Sequence, residues 1–147
     1  MKLSLNEWLK NGWLIEHKTS PEEIADLFRI VDRDLKDCEV AFLSPDWRLN
    51  IAYNAALQCA KAALAVAGYR TSRESHHYRL IQSLAYTIQA DDRLILQFDM
   101  FRKKRNISDY LRAGEVSDLE VNEMIALAKS LRIRVGKWVK AKFCSQQ

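Results

Sequence analysis

The residues best suited to chemistry form a dense cluster of charge in the second half of the chain. Between positions 101 and 112 there are five basic side chains and one carboxylate: Arg102, Lys103, Lys104, Arg105, Asp109 and Arg112. A stripe with helical spacing leads into this cluster through Leu94, Phe98, Phe101 and Arg105. The spacing predicts one helix face that changes from apolar to cationic as the helix nears its end.

The polar residues at the end of this helix are predicted to form a compact patch. At 3.6 residues per turn, positions 105 and 109 share one stripe and positions 106 and 110 share the next. The four side chains are Arg105, Asn106, Asp109 and Tyr110. A guanidinium beside an amide suits a phosphate, because both donate hydrogen bonds and Arg keeps its charge. The simpler interpretation is an Arg105–Asp109 ion pair on a solvated helix end, and the residues alone favour it.

The elements that must position this patch all have helical patterns. Ser20-Pro21, Ser44-Pro45 and Ser117-Asp118 are strong helix start signals, and Asp91 or Asp92 is predicted to begin the helix of the patch. The predicted helices span about residues 4–16, 21–40, 45–67, 74–89, 92–113 and 118–143. Four glycines and two prolines are too few for a fold with many turns. The sequence therefore predicts an all-α fold, an antiparallel bundle of five or six helices with short connections.

Three of these elements carry further expectations. The Ala-rich third helix is predicted to be central, because small side chains let neighbouring helices approach closely, and Gly68 is a plausible C-cap. The second helix is predicted to place its charged residues, Asp34 among them, on a solvated face. Trp8 and Trp13 are predicted to anchor the first helix to the body of the protein or to a second subunit. Residues 71–75 are predicted to be a polar link.

Composition and charge limit the class of protein. The 147 residues predict a single helical domain, with an N-terminal helical extension over about residues 1–18 and a core over about residues 20–143. The net charge is +4, but residues 1–60 carry −3 and residues 61–147 carry +7. A basic second half permits a polyanionic partner. No segment resembles a signal peptide or a membrane span. The three cysteines cannot all pair within one chain, which fits a reducing cytoplasm.

The remaining candidates for chemistry are two adjacent histidines, His76 and His77. A metal site would need further ligands at useful spacing, and the sequence offers none, so no metal or other cofactor is predicted. The pattern favours histidines that face solvent or form hydrogen bonds.

The chain resembles the HEPN superfamily, the "higher eukaryotes and prokaryotes nucleotide-binding" helical domains. Three stretches carry the resemblance, which covers roughly residues 44–140. They are the Ala-rich helix from Ile51 to Leu64 with Gly68-Tyr69-Arg70, the Arg105-Asn106-Ile107-Ser108-Asp109-Tyr110 segment, and the Val116-Ser117-Asp118-Leu119-Glu120-Val121 helix start.

The resemblance implies a two-fold homodimer that binds RNA or a nucleotide at a basic cleft between subunits. Catalytic members of the family are metal-independent endoribonucleases, often toxins or phage-defence proteins paired with nucleotidyltransferase-type antitoxins. Their motif is Arg, a polar residue, and then His, with four to six residues between the Arg and the His. Arg105 and Asn106 match the first two positions of this motif, and Tyr110 occupies the position of the histidine. The predicted binding residues are Arg102, Lys103, Lys104, Arg105, Asp109 and Arg112.

The tyrosine at position 110 bears on whether the protein is an enzyme. A tyrosine with a pKa near ~10 is a poor base at neutral pH, whereas a histidine near ~6.5 is poised for proton transfer. The first hypothesis is therefore an RNA- or nucleotide-binding domain with weak or lost ribonuclease activity. The second is a non-catalytic interaction module, such as an accessory partner of a nucleotidyltransferase. The third hypothesis is a catalytic protein, which requires another base, and His76 and His77 are the candidates for it.

Overall fold

The computed structural model describes residues 3–73, 75–110 and 116–145, with side chains over 3–73, 75–105 and 116–144. These residues form six α-helices and two short strands, which confirms the predicted all-α bundle. The elements are α1 (Leu5–Lys10), β1 (Leu14–Glu16), α2 (Pro21–Asp37), α3 (Pro45–Val66), β2 (Tyr69–Thr71), α4 (His76–Ser83), α5 (Asp92–Tyr110) and α6 (Asp118–Ser145). None of these helices is both long and apolar enough to cross a membrane.

The helix α3 lies at the centre of the bundle, as its alanines predicted. Its start is fixed by Ser44, whose side chain accepts a hydrogen bond from the backbone of Trp47, and by Pro45 in the first turn. It contacts α2, α4, α5 and α6. Nine of its residues between positions 52 and 64 are at most 1% exposed. Gly68 follows its last turn with a φ of +104°, the left-handed conformation that stops a helix.

The first predicted helix is shorter than its apolar pattern suggested. The helix α1 ends at Lys10, and Gly12 adopts a φ of +79°, which turns the chain away from the helical path. Residues 14–16 then pair antiparallel with residues 69–71, so part of the predicted polar link over residues 71–75 belongs to a strand. Trp8 is buried as predicted, and the Arg79 guanidinium lies 3.7 Å from the centroid of the Trp13 ring.

The fourth helix is also shorter than predicted, at eight residues instead of sixteen. The backbone N–H groups of Leu84, Ala85 and Tyr86 bond to carbonyls only three residues back, so the chain tightens into turns. Gln89 then takes a left-handed φ of +58°. This compact connection reverses the chain and delivers it to Asp91, which caps α5 by accepting from the backbone of Leu94.

The prediction that Asp34 is solvated was wrong. Its side chain is 5% exposed and accepts hydrogen bonds from Arg33 and from Asn54 on α3. A periodic pattern places a residue on a helix face but does not show that a neighbouring helix carries a polar partner. Ser20 caps α2 as predicted by accepting from the backbone of Glu23, while the Glu23 carboxylate accepts from His17 and Thr19 and does not close a capping box.

The helix α5 shows the predicted change from apolar to cationic along one face. Phe98 is fully buried and Phe101 is 7% exposed, while Arg105 is half-buried one turn further on. The helix packs on α3, α4 and α6. The capping box of α6 is complete, since Ser117 and Glu120 exchange backbone and side-chain hydrogen bonds. The rigid core therefore extends to the edge of the basic cluster.

Candidate functional site

The centre of the candidate site is Arg105, which rests on an aromatic ring of the central helix. Its guanidinium carbon is 5.3 Å from the centroid of the Tyr53 ring, within the range of a cation–π contact. Phe98 packs edge-on against the same ring, with the two centroids 5.7 Å apart. Tyr53 is 1% exposed and so gives a fixed support. The cation therefore lies against a ring that belongs to the hydrophobic core.

The same tyrosine brings a histidine of α4 to the site. The Tyr53 hydroxyl lies 3.3 Å from Nδ1 of His77, and the two ring centroids are 5.8 Å apart. The ring of the exposed His76 is 4.3 Å from that of His77. The prediction of hydrogen-bonded or solvent-facing histidines is confirmed, with His77 bonded and His76 exposed. The structure adds that both lie beside the basic end of α5.

The surroundings keep both groups of this pair neutral at physiological pH. Burial lowers the pKa of His77 to about 4, and the charges of His76, Arg105 and Arg102 act in the same direction. Burial raises the pKa of Tyr53 to about 12, although Arg105 and Arg102 oppose this. The hydroxyl of Tyr53 therefore stays protonated and can donate a hydrogen bond to Nδ1 of His77. In that arrangement Nε2 of His77 carries a hydrogen and can donate to an anion.

The cations before Arg105 are paired with carboxylates that the sequence analysis did not assign to the cluster. Arg102 Nε donates to Asp99 Oδ1 at 2.6 Å, and Lys103 Nζ lies 3.6 Å from Asp99 Oδ2. Lys104 Nζ lies 3.5 Å from the Glu120 carboxylate on α6. The cluster is thus less cationic than its count of charges suggested, and Lys103 and Lys104 are partly neutralised.

A shallow basin of about 310 Å³ lies beside this group of side chains. It is lined by Arg73, Ser75, His76, His77, Tyr78 and Arg102. The Arg102 guanidinium lies 5.5 Å from the centroid of the Tyr78 ring, so Asp99 and Tyr78 both orient it. Two guanidinium groups, two imidazoles and a partly exposed phenol ring therefore surround one basin. Such a set can donate hydrogen bonds to a phosphate and stack on a base.

Several predicted site residues have side chains outside the described part of the structure. The backbone of Asn106, Asp109 and Tyr110 belongs to α5, but their side chains are not described, and Arg112 lies outside the described residues. The predicted Arg105–Asp109 pair therefore stays a prediction. Sequence reasoning missed Tyr53, Tyr78 and Arg73, and a buried tyrosine within an Ala-rich helix was the one signal available.

The geometry weakens the interpretation that His77 is a catalytic base. A general base works best when its pKa is near the working pH, and the pKa of His77 is lowered to about 4. Its Nδ1 is also engaged with Tyr53. Among the residues that the structure describes, no three His, Cys, Asp or Glu side chains are grouped to hold a metal ion. Hydrogen-bond donors and positive charge therefore dominate the described side chains here, with no group suited to act as a base at neutral pH.

The described residues form a helical bundle with the half-buried Arg105 on its fifth helix. A family model described as HEPN domain matches residues 23–138, which is most of the sequence. The chain therefore belongs to the HEPN domain family, and the resemblance seen in the sequence is confirmed. No curated protein matches the chain.

The lowered pKa of His77 makes the stability of the fold depend on pH. As the pH falls from about 6.5 to about 4, the unfolded chain protonates this residue while the folded chain does not. The free energy of unfolding is therefore expected to decrease over this window. Denaturant titrations of wild type and His77→Asn should show a smaller decrease for the variant.

The matched control for this test is His76→Asn, because His76 is exposed and adjacent. This variant should keep most of the decrease in the free energy of unfolding, and it loses only the effect of the His76 charge on His77. Other groups with lowered pKa values, such as Glu23 and Glu120, also lose stabilisation as the pH falls, so the difference between wild type and variant is the quantity that counts. Equal slopes for wild type and His77→Asn would contradict the buried, neutral imidazole.

Proposed function

We propose that this HEPN domain binds single-stranded RNA through the basin between α4 and α5. The observation that carries the proposal is the placement of Arg105 on Tyr53, beside the neutral His77. Arg102 lines the basin next to them. Guanidinium groups recognise phosphate through charge-assisted hydrogen bonds, and a supported guanidinium loses less freedom on binding. The proposed ligand class is therefore RNA, or a nucleotide derived from it.

The basin suits a single strand better than a duplex. Tyr78 is 37% exposed at its edge, so its ring is available to an unstacked base. Bases of single-stranded RNA stack on aromatic and guanidinium planes, whereas duplex RNA hides its base faces. The phosphate would lie against Arg102 and Arg105, with the Nε2 hydrogen of His77 as a further donor.

The outer face of α5 supports the homodimer that the family resemblance implies. Leu96 and Met100 are one turn apart, and they are 65% and 68% exposed. Adjacent exposed apolar residues on one helix face are typical of a surface that another chain covers. A second copy packed on this face would bring two basins into one assembly.

The proposal includes a role in a toxin–antitoxin or phage-defence system, with a nucleotidyltransferase as partner.

The same apolar face favours one alternative. Leu96 and Met100 lie on α5 with the exposed Lys103, so the face also fits an acidic protein partner. In this case the protein is an interaction module, for example an accessory partner of a nucleotidyltransferase. The two functions differ in what they require, because an interaction module needs no affinity for RNA.

Incubation with RNA in the presence of a chelator tests the proposed function. We expect wild type to bind a labelled single strand and to leave it largely uncut, because the motif has a tyrosine where the catalytic members have a histidine, and tyrosine is ordinarily a poor base at neutral pH. The pKa of His77 is lowered to about 4, so this residue is also a poor general base. The substitution Tyr110→His restores the family motif and is expected to produce cleavage. The products of metal-free cleavage would carry 2′,3′-cyclic phosphate ends, since the 2′-hydroxyl is the nucleophile.

Three outcomes of this experiment have different meanings. Cleavage by wild type that disappears in Arg105→Ala would replace the binding proposal by a catalytic one. Cleavage by Tyr110→His alone would identify an intact site without its base. A wild type that binds no RNA at any salt concentration would favour the protein-partner alternative.

A further inference from the structure

A second and deeper cavity lies on the other side of the two histidines. It has a volume of about 480 Å³ and lies among α2, α3, β2 and α4. This volume falls within the range of small-molecule sites, which is roughly 300–1,000 Å³. All three histidines of the chain line the cavity. His76, His77 and Arg73 line both this cavity and the basin, so the two spaces adjoin.

The inner wall of the cavity is apolar and fixed. It is formed by Leu27, Leu57, Leu64, Ala65 and Leu80, none of which is more than 8% exposed. These residues belong to α2, α3 and α4, and both α2 and α4 pack on α3. An apolar wall of this kind favours the binding of an apolar or aromatic group, because the wall and the ligand surface are both removed from water.

The mouth of the cavity is cationic. Lys61, Arg70 and Arg73 line it and are exposed, and the carboxylate of Glu23 is also present. This carboxylate already accepts hydrogen bonds from His17 Nε2 at 2.6 Å and from Thr19 Oγ1 at 2.8 Å. Those bonds lower the pKa of Glu23, so it stays ionised with its partners in place. Three permanent cations against one occupied carboxylate favour an anionic group at the mouth.

A chain of hydrogen bonds connects a buried carboxylate to two amide side chains in the cavity wall. The buried Asp34 accepts from Asn54 Nδ2 at 2.7 Å, and Asn54 Oδ1 accepts from Gln58 Nε2 at 3.3 Å. Because a carboxylate only accepts hydrogen bonds, this chain fixes the orientation of both amides. Gln58 keeps its carbonyl oxygen and one N–H, and both Asn54 and Gln58 line the cavity. An oriented donor and acceptor on an apolar wall can recognise the edge of a heterocyclic ring.

We propose that this cavity binds a single planar heterocycle that carries a phosphate, with the ring on the leucine wall and the phosphate at Lys61, Arg70 and Arg73. A free mononucleotide has this chemistry. The site lies within one chain and uses neither Arg105 nor a second subunit, so it goes beyond the RNA-binding surface proposed above. Because Arg73, His76 and His77 line both spaces, an occupied cavity would change the wall of the basin.

Calorimetric titration of wild type with AMP, GMP, CMP and UMP tests the proposal. Two sets of partial ligands separate the contributions: nucleosides lack the phosphate, and ribose 5-phosphate lacks the ring. Phenyl phosphate retains a ring and a phosphate but has no heterocyclic edge for Gln58. We expect at least one mononucleotide to bind, and each partial ligand to bind about tenfold or more weakly, as for the loss of one charged or well-oriented contact.

Three variants locate the binding. The double substitution Lys61→Gln/Arg70→Gln removes two exposed cations of the mouth, and we expect it to weaken mononucleotide binding at least about tenfold. Ala65→Leu adds volume to the inner wall and should have a similar effect if the variant folds. Lys137→Gln on the exposed surface of α6 is the matched control and should bind like wild type.

Two results would overturn the proposal. The first is a wild type that binds no mononucleotide at millimolar concentration. The second is binding that survives the double substitution but is lost in Arg105→Gln, because the ligand would then occupy the RNA-binding surface. A wild type that binds a mononucleotide but no RNA would contradict the proposed function, while the proposal that this cavity is a ligand site would stand.

Discussion

Replacement of Arg105 by Gln is expected to weaken single-stranded RNA binding by about tenfold or more. The substitution removes a cation that Tyr53 holds at 5.3 Å beside His77, and a hydrogen bond to a charged group contributes about 1.5–3 kcal/mol. It should also reduce the salt dependence of binding, because each phosphate contact to single-stranded RNA contributes a slope of about 0.7. Fluorescence anisotropy at several salt concentrations measures both quantities.

The comparison needs a conservative variant and a matched control. Arg105→Lys keeps the charge but loses the planar fork, so its affinity should lie between those of wild type and Arg105→Gln. Lys137→Gln removes an exposed cation of α6, and its affinity should change little. Thermal melts must show that the loss of the cation–π contact leaves the fold intact. Equal affinities for wild type and Arg105→Gln would remove Arg105 from the binding surface.

Truncation of Phe98 to Ala is expected to cost about 3–5 kcal/mol of the free energy of unfolding. Phe98 is fully buried, and its ring packs edge-on against Tyr53 at 5.7 Å. For a chain of this size each kcal/mol corresponds to about 2–4 °C, so the melting temperature should fall by roughly 10 °C. Because Tyr53 also supports Arg105, RNA affinity should decrease at temperatures where the variant is still folded.

Two substitutions on the same chain calibrate this result. Phe98→Leu keeps most of the volume and should cost clearly less than Phe98→Ala. Met100→Ala lies two residues away on α5, but Met100 is 68% exposed, so the change should stay within about 0.5 kcal/mol. A similar, small effect of Phe98→Ala and Met100→Ala on stability would show that α5 does not depend on the Phe98–Tyr53 contact.

The helices were predictable because their signals are local. Ser20, Ser44 and Ser117 each accept the hydrogen bond that starts a helix, and these bonds depend on residues only three positions apart. The strands β1 and β2 were not predicted, since three-residue strands have almost no pattern and depend on pairing between segments more than fifty residues apart. The early end of α1 follows from Gly12, whose effect the apolar stripe concealed.

The candidate site was predictable in one half and not in the other. The cationic end of α5 followed from the spacing of Phe98, Phe101 and Arg105 on a single helix. The meeting of Arg105, Tyr53 and His77 depends on how three helices pack, which no local pattern specifies. The pairing of Lys104 with Glu120 also depends on how α5 and α6 pack, whereas the pairing of Lys103 with Asp99 is a local i,i+4 contact that the helical spacing alone could have indicated.

The central claim is that RNA lies in the basin between α4 and α5, and mapping of backbone amide shifts tests it most directly. A short single-stranded RNA is added to ¹⁵N-labelled protein, and the amide signals are followed in two-dimensional spectra. We expect the largest shifts in α4 around His77 and in α5 between Phe98 and Arg105. Shifts concentrated on the basic face of α6, around Lys137 and Lys140, or no shifts at any RNA concentration, would contradict it.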